Sequence, residues 1–288
     1  YRRSGEVDAM RLPKDGYFAH QVMWDGWVDV ERPRIHIIGH WNYASGTKKN
    51  VYIVSSAEKV ELLVNGASLG FGEQTSRFLY TFKDVAWQSG TISAVGYDAS
   101  GLKVCDAKTK TAGKPAAIRL TQHVGPGGLR ADGADLALVD VEVVDAAGNR
   151  CPTALNTINF SISGPAEWRG GIAQGPDNYI LARSLLVEGG VNRVLIRSRS
   201  QAGAIVLEAA APNLKPATIK IASHSINAAD GLSLSMPDAG LALNLTRGPT
   251  PVATPLGMSR KAFRISNASA GSNAARAASS FDDNEFTN

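Results

Sequence analysis

The chain is built from short apolar segments separated by turn residues, and this spacing limits the folds open to it. From Ile35 onward the apolar residues recur with the two-residue period of strands, in segments such as RIHIIGHWN, NVYIVSS and GTISAVGYD. Glycine, serine, asparagine or aspartate interrupts them about every ten residues. The 29 glycines and 13 prolines agree with many turns, so the pattern predicts an all-β fold.

Two tandem immunoglobulin-like β-sandwiches are predicted, at residues 35–113 and 114–223. In the first, Asn65-Gly66 between VELLV and ASLG is a strong signal for a tight hairpin turn. In the second, DLALVDVEVVDAAGN alternates apolar and acidic residues, as a strand does when one face is buried and one is wet. Residues 224–262 are interpreted as a linker that is mobile or lies on other surfaces, and residues 263–288 as the start of a truncated galactose-binding-like module.

The first 34 residues follow a helical rather than a strand-like pattern. Pro13 suits a first helical turn and Asp15 suits the helix dipole, which predicts a short helix from about Lys14 to Gly26. This segment carries the aromatic residues Tyr17, Phe18, Trp24 and Trp27. A lone helix cannot bury that many rings, so we expect a neighbouring fold that precedes Tyr1. The closeness of Trp24, Trp27 and Trp41 in sequence also predicts that this helix is clamped against the first sandwich.

Composition excludes several classes of function. The formal net charge is +4, but the basic residues are scattered, so no nucleic-acid partner is expected. No apolar run reaches the roughly 20 residues of a membrane-spanning helix, so no membrane partner is expected either. The two cysteines, Cys105 and Cys151, fall in different predicted sandwiches and are expected to be unpaired thiols.

Several stretches together resemble the region after the catalytic barrel in bacterial glycoside hydrolase family 2, the β-galactosidase-like enzymes. The family's barrel ends in a Pro-Lys-Asp/Glu-x-Tyr-Tyr pattern, matched at residues 13–18 with phenylalanine in place of the second tyrosine. Its next sandwich opens with Gly-His-Trp-Asn, matched at residues 39–42, and carries a Val-x-Leu-x-Leu/Val-Asn-Gly-x-Ser-Leu-Gly hairpin, matched at residues 60–70. Residues 114–223 resemble the immunoglobulin-like domain that follows, and residues 274–288 resemble the start of a discoidin-type module.

The resemblance implies a non-catalytic C-terminal portion of a glycosidase that cleaves O-glycosidic bonds with retention. The helix at residues 1–34 would end a (β/α)8 barrel, and the two catalytic glutamates would belong to that barrel, upstream of Tyr1. This chain would then hold no catalytic residue, metal or cofactor. Its partners would be the upstream barrel and a carbohydrate substrate, and its flat sandwich faces also allow a homodimer. A periplasmic or extracellular bacterial location is expected from the family.

Four residues are candidates for contact with substrate. Glu6 and Asp8 lie near the expected end of the last barrel strand, where loop residues face an active site. His40 and Trp41 belong to HIIGHWNY, which also suits a strand docked against the preceding domain. His36 and His40, four apart on one strand, would share a face, but too few further ligands are nearby for a metal.

Two other classes of function stay open on the sequence alone. One is an adhesion or scaffold protein made of bacterial immunoglobulin-like repeats, although the two sandwiches differ and the leading helix has no place in such an array. The other is a stand-alone carbohydrate-binding module. Sugar specificity is not determined by these residues, because galactosidase, glucuronidase and mannosidase members share such domains.

Overall fold

The computed structural model describes residues 5–28, 32–173, 179–229 and 232–233. All of these belong to one of the chain's two structural units, residues 1–239. Most of the segment interpreted as a linker, and all of residues 263–288, lie outside the described residues. The short strands β18 (Ala228–Ala229) and β19 (Leu232–Ser233) pair within that predicted linker.

The leading helix α1 spans Asp15–Val28, close to the predicted bounds of residues 14 and 26. Asp15 occupies the first turn, where a carboxylate is favoured by the helix dipole. Gly26 lies inside the helix because the first sandwich approaches it closely. A Cβ at this position would lie 2.8 Å from the Phe78 ring and 2.9 Å from the Cβ of Ser56.

The first sandwich consists of two four-stranded sheets, ordered β1-β2-β6-β5 and β4-β3-β7-β8. The predicted Asn65-Gly66 turn joins β3 to β4, and both residues have positive φ, 52° and 84°. The strand bounds are β1 Ile35–Ile37, β2 Lys48–Ser55, β3 Lys59–Val64, β4 Ala67–Phe71, β5 Glu73–Ser76, β6 Leu79–Ala86, β7 Thr91–Tyr97 and β8 Lys103–Lys110.

The second sandwich packs a five-stranded sheet, β10-β17-β16-β12-β14, on a four-stranded sheet, β13-β15-β11-β9. Strand β11 is the alternating segment of the sequence, with Ala137, Val139, Val141 and Val143 buried and Leu136 exposed. The strand bounds are β9 Ala117–His123, β10 Leu129–Arg130, β11 Leu136–Val144, β12 Thr157–Ser163, β13 Ala166–Gly171, β14 Ser184–Leu186, β15 Val191–Ser198, β16 Gly203–Ala210 and β17 Ala217–His224.

Hydrogen bonds hold the two sandwiches together at residues 112–113. The Asn42 side chain donates to the carbonyl of Ala112 at 2.8 Å and accepts from its N–H at 3.0 Å. The Asp145 carboxylate accepts from Gly113 N at 2.7 Å and from the backbone N–H groups of Ala147 and Asn149. These donors, first of all Gly113 N, lower the pKa of Asp145 to about 2, so the junction keeps its charge at neutral pH.

The predicted fold class, all-β with tandem sandwiches after one helix, is confirmed. The exact domain boundaries stay predictions. Cys105 and Cys151 are free thiols, as expected, and burial raises the pKa of both. None of the described helices is long and apolar enough to cross a membrane.

Candidate functional site

One side of α1 packs on the first sandwich through a few specific contacts. The Phe18 ring stacks on the His36 imidazole with centroids 4.6 Å apart, and Val22 is only 2% exposed. The Asp15 carboxylate accepts a hydrogen bond from His36 Nε2 at 2.8 Å and from Gly39 N at 3.0 Å. The bond from His36, strongest of these influences, holds the pKa of Asp15 below its usual value despite partial burial.

Three large rings of α1 remain partly exposed, and we call them the aromatic face: Tyr17, Trp24 and Trp27. Trp27 also touches the first sandwich, where its ring meets the Phe78 ring edge-on with centroids 5.7 Å apart. The exposed fractions of Tyr17, Trp24 and Trp27 are 40%, 65% and 58%. The spacing of seven and then three residues places these rings on one side of a helix. They border an open cavity of about 530 Å³ that is also lined by Glu6 and His20. Singly exposed apolar residues are ordinary, but two tryptophans on one helical face mark a contact surface.

The residues before α1 are held by the second sandwich. The Arg193 guanidinium, 12% exposed, donates to the carbonyls of Met10 at 3.2 Å and Arg11 at 3.1 Å. It also binds the Asp140 carboxylate at 2.5 and 3.2 Å, and His123 contacts the same carboxylate at 2.9 Å. Burial alone would raise the pKa of Asp140, but the bonds from Arg193 and His123 outweigh it and lower this pKa. Residues 5–14 are therefore attached to the second sandwich as well as to the helix.

Glu6 and Asp8, two of the predicted substrate contacts, take different places in this segment. Glu6 forms an ion pair with His20 at 2.6 Å, beside the aromatic face. The Asp8 carboxylate accepts from Met10 N at 2.8 Å and Leu12 N at 2.9 Å, which stabilises a local turn. Neither residue lines the cleft, described below, in which His40 lies. Contact of Glu6 or Asp8 with substrate stays a prediction.

A second cleft lies where α1, strand β8 and the 149–152 turn meet, and we call it the cationic cleft. Its volume is about 730 Å³. Sequence reasoning missed most of it, although the alternating lysines of VCDAKTK were a visible signal. The cleft is defined by Pro13, Lys14, Asp15, Phe18, His36, Ile37, Gly39, His40, Ala107, Lys108, Thr109, Lys110, Asn149, Arg150, Pro152 and Gly189.

His40 lies in this cleft, but not in the strand that was predicted for it. Strand β1 ends at Ile37 and Gly39 has φ of +87°, so the expectation that His36 and His40 share one face of a strand is wrong. The His40 ring stacks on Tyr43 with centroids 4.7 Å apart, and its Nδ1 accepts from Asn42 N at 3.1 Å. Burial, helped by the nearby Lys49 charge, lowers the pKa of His40.

Trp41 is part of the core of the first sandwich and is 1% exposed. Its indole N–H donates to the carbonyl of Gln88 at 2.9 Å, and its own carbonyl accepts from Trp87 Nε1 at 3.1 Å. This burial supports the packing interpretation of Trp41 over sugar stacking, and it separates Trp41 from the exposed Trp24 and Trp27. Among the described residues, no group of three or more His, Cys, Asp or Glu side chains could hold a metal ion.

The sequence profile described as Glycoside hydrolase family 2 C-terminal domain 5 matches residues 120–220. A second profile, Domain of unknown function (DUF4982), matches residues 46–105. The chain is 42% identical over 251 residues to the Beta-glucuronidase of Formosa agariphila, covering 87% of this chain and 25% of that protein. It is 32% identical over 233 residues to Beta-galactosidase BoGH2A of Bacteroides ovatus, covering 77% of this chain and 26% of that protein.

Solved structures show the same relationship. A beta-glucuronidase from glycoside hydrolase family 2 superposes with a TM-score of 0.78 and 40% identity, over 91% of this chain and 27% of that one. A family 2 member from Bacteroides cellulosilyticus gives a TM-score of 0.68 and 28% identity, over 76% of this chain and 32% of that one. The chain spans about a quarter of the length of the curated relatives it matches. Its sequence and fold match the C-terminal, non-catalytic sandwich region of glycoside hydrolase family 2 enzymes.

Proposed function

We propose that this chain supports the catalytic (β/α)8 barrel of a retaining glycosidase, with α1 as the barrel's last helix. Two glutamates of the barrel would perform the hydrolysis, one as acid/base and one as nucleophile. The role of the two sandwiches would be to fix the barrel's final segment and the rim beside it.

The aromatic face is the observation that supports this proposal most directly. Trp24 and Trp27 are more than half exposed although they are among the largest apolar side chains of the segment. Covering one such ring contributes roughly 1.5–3 kcal/mol. A barrel packed on this face would gain somewhat more than half of that energy for each indole, because Trp24 and Trp27 are 65% and 58% exposed, and the apolar surface left in water would be small.

The attachment of residues 5–28 to both sandwiches gives the barrel a fixed support. Asp15 and Phe18 bind the first sandwich through His36, and Arg193 binds residues 10–11 from the second. A shift of either sandwich would therefore displace the end of the barrel, because short, charged hydrogen bonds connect the two. Such bonds are stiffer and stronger than neutral ones.

Substrate, partners and location are part of the same proposal. The relatives are named as a beta-glucuronidase and a beta-galactosidase, so both β-glucuronides and β-galactosides are substrate classes for the whole enzyme. Homodimer formation through the flat sandwich faces and a periplasmic or extracellular location are proposed from the family resemblance. The adhesin and stand-alone binding-module alternatives are not favoured, because the curated matches are glycosidases.

A chimera tests the supporting role. The matching region of the Formosa agariphila Beta-glucuronidase is replaced by residues of this chain, and hydrolysis of nitrophenyl β-glucuronide and β-galactoside is measured. We expect an active chimera whose half-life on heating is shortened by W24A/W27A and unchanged by F71A. Phe71 is a matched control because its ring is 63% exposed on strand β4, away from α1.

The isolated 288-residue chain serves as the negative arm of this test. It should hydrolyse neither glycoside, because the two glutamates would lie in the barrel. Turnover by the isolated chain, or an active chimera that is indifferent to W24A/W27A, would contradict the supporting role.

A further inference from the structure

The cationic cleft collects positive charge from three separate elements. Lys14 comes from the residue before α1, Lys108 and Lys110 from strand β8, and Arg150 from the turn after β11. Asp15 is the one carboxylate among the lining residues of the cleft, and it already accepts hydrogen bonds from His36 and Gly39. Four cations and one carboxylate give the lining a formal charge of +3.

Three of these cations make no direct ion pair among the described residues, although the charge of Arg150 helps to lower the pKa of Asp15 and that of Lys108 the pKa of Asp106. None of the ion pairs in the described part of the chain includes Lys108, Lys110 or Arg150. Lysines on an edge strand block unwanted strand pairing, which could account for the two on β8. That role does not require Arg150 to lie in the same cleft. Like charges in a cleft raise its positive potential and attract anions.

His40 adds a neutral donor to the same cleft. Its Nδ1 accepts a hydrogen bond from Asn42 N, so the proton of the neutral ring resides on Nε2. The lowered pKa keeps the ring neutral at pH 7. Apolar surface is interleaved with these polar groups and is supplied chiefly by Pro13, Phe18 and Pro152.

We propose that the cationic cleft binds an anionic oligosaccharide, one whose sugar rings carry carboxylate or sulfate groups. Its cations would pair with the acidic groups, His40 would donate to a hydroxyl, and the apolar patches would contact the C–H faces of the rings. A cavity of about 730 Å³ is larger than a single small anion requires and lies within the range of small-molecule sites. The saccharide identity rests on the proposed glycosidase function, whereas the anion preference rests on the cleft itself.

Titration calorimetry on the 288-residue chain tests the ligand class. The probes are a tetrameric oligouronate, a sulfated oligosaccharide, a neutral oligogalactoside of equal length, and citrate as a non-sugar polyanion. We expect at least one acidic oligosaccharide to bind more tightly than the neutral one and than citrate, with an affinity that falls as salt is added. The two acidic probes distinguish carboxylate from sulfate as the preferred group.

Charge variants locate the binding. The triple variant K108Q/K110Q/R150Q should lose at least about tenfold in affinity, since each charge-assisted hydrogen bond contributes that order of effect. All three side chains are exposed, so the variant should fold, which a thermal melt verifies.

A second triple variant, K59Q/K215Q/K220Q, is the control because it makes the same change in net charge at exposed lysines outside the cleft. It should bind as the parent chain does. The proposal is overturned if both triple variants lose affinity equally, if neutral and acidic oligosaccharides bind alike, if citrate binds as tightly as the oligosaccharides, or if no acidic oligosaccharide binds. Because the isolated chain is used, such a result leaves the chimera test of the supporting role unaffected.

Discussion

Helix α1 has one side that the first sandwich covers and one side that is largely exposed. Its tryptophans are the more exposed rings, although Trp27 keeps an edge contact with Phe78 of the first sandwich. The covered side offers Phe18 and Val22, with Asp15 at its end. The exposed side offers Trp24 and Trp27, each more than half accessible to solvent. A self-contained fold would bury its largest apolar side chains first. Here the tryptophans are exposed and the smaller side chains are buried. This arrangement indicates a helix that a few specific contacts hold in place and whose tryptophans remain available to another surface.

The largest difference between the two sides should appear when the same charge is placed on each. V22D puts an unpaired carboxylate where the side chain is 2% exposed, and we expect a loss of about 3 kcal/mol in the free energy of helix docking. W24D makes the corresponding change at a side chain that is 65% exposed and should cost less than about 0.5 kcal/mol. Hydrogen exchange of residues 15–28 measures docking in each variant. Equal loss of protection in both would show that the two sides do not differ.

The attachment to the second sandwich should be nearly as sensitive. R193Q removes the bonds to Met10 O and Arg11 O and leaves the Asp140 carboxylate without its bidentate partner. We expect about 2–3 kcal/mol of destabilisation, seen as faster exchange at residues 8–12 and a lower Tm.

The control for this prediction is R197Q, on the same strand. Arg197 pairs with Glu167, but both side chains are over a third exposed, so its loss should cost at most about 1 kcal/mol. If R193Q left the exchange of residues 8–12 unchanged, the second sandwich would not hold the leading segment.

Asp15, at the start of the covered side, should contribute less to the free energy of unfolding, and its contribution should depend on pH. D15N weakens the bonds from His36 and Gly39 and should cost about 1 kcal/mol at neutral pH, since Asp15 is partly exposed. The pKa of Asp15 is lower in the folded chain than its usual 3.8, so the carboxylate stabilises the fold above that value. This contribution is lost as the pH falls through the lowered, folded pKa.

Unfolding by denaturant at several pH values checks whether the stabilisation by Asp15 falls or rises on acidification. The difference in unfolding free energy between the parent chain and D15N should be constant near neutral pH and shrink below about pH 4. A difference that grew on acidification would contradict the assignment of Asp15 as the stabilising anion.

Local backbone signals predicted much of the fold. The Asn65-Gly66 turn was identified because both positions require positive φ, and the helix was placed within two residues because Pro13 and Asp15 are typical of a first turn. The family resemblance was also confirmed, since it depended on contiguous motifs at residues 13–18, 39–42 and 60–70.

Burial and site composition were harder to predict, because they depend on which distant segments meet. Trp24 and Trp41 look alike in sequence, yet one is exposed and the other is sealed behind Gln88 and Trp87. The cationic cleft joins residues from three elements, and no local pattern links Arg150 to Lys108. The prediction that His36 and His40 share a strand face was wrong for a local reason, because Gly39 turns the chain at positive φ.

The smallest effect on stability is expected where the rings are largest. In the isolated chain, W24A/W27A should change the free energy of unfolding by less than about 1 kcal/mol, because Trp24 is mostly exposed and Trp27 keeps only an edge contact with the Phe78 ring. The variant should also bind less of the hydrophobic dye ANS, since two exposed indoles are gone. A loss of 2 kcal/mol or more, on the scale of a buried ring, would mean that this chain itself covers the aromatic face. The other result is an isolated variant of nearly unchanged stability and a chimera of shortened half-life. The tryptophans would then matter only when a second fold is present, so contact with that fold would be a role of α1 distinct from its docking on the first sandwich.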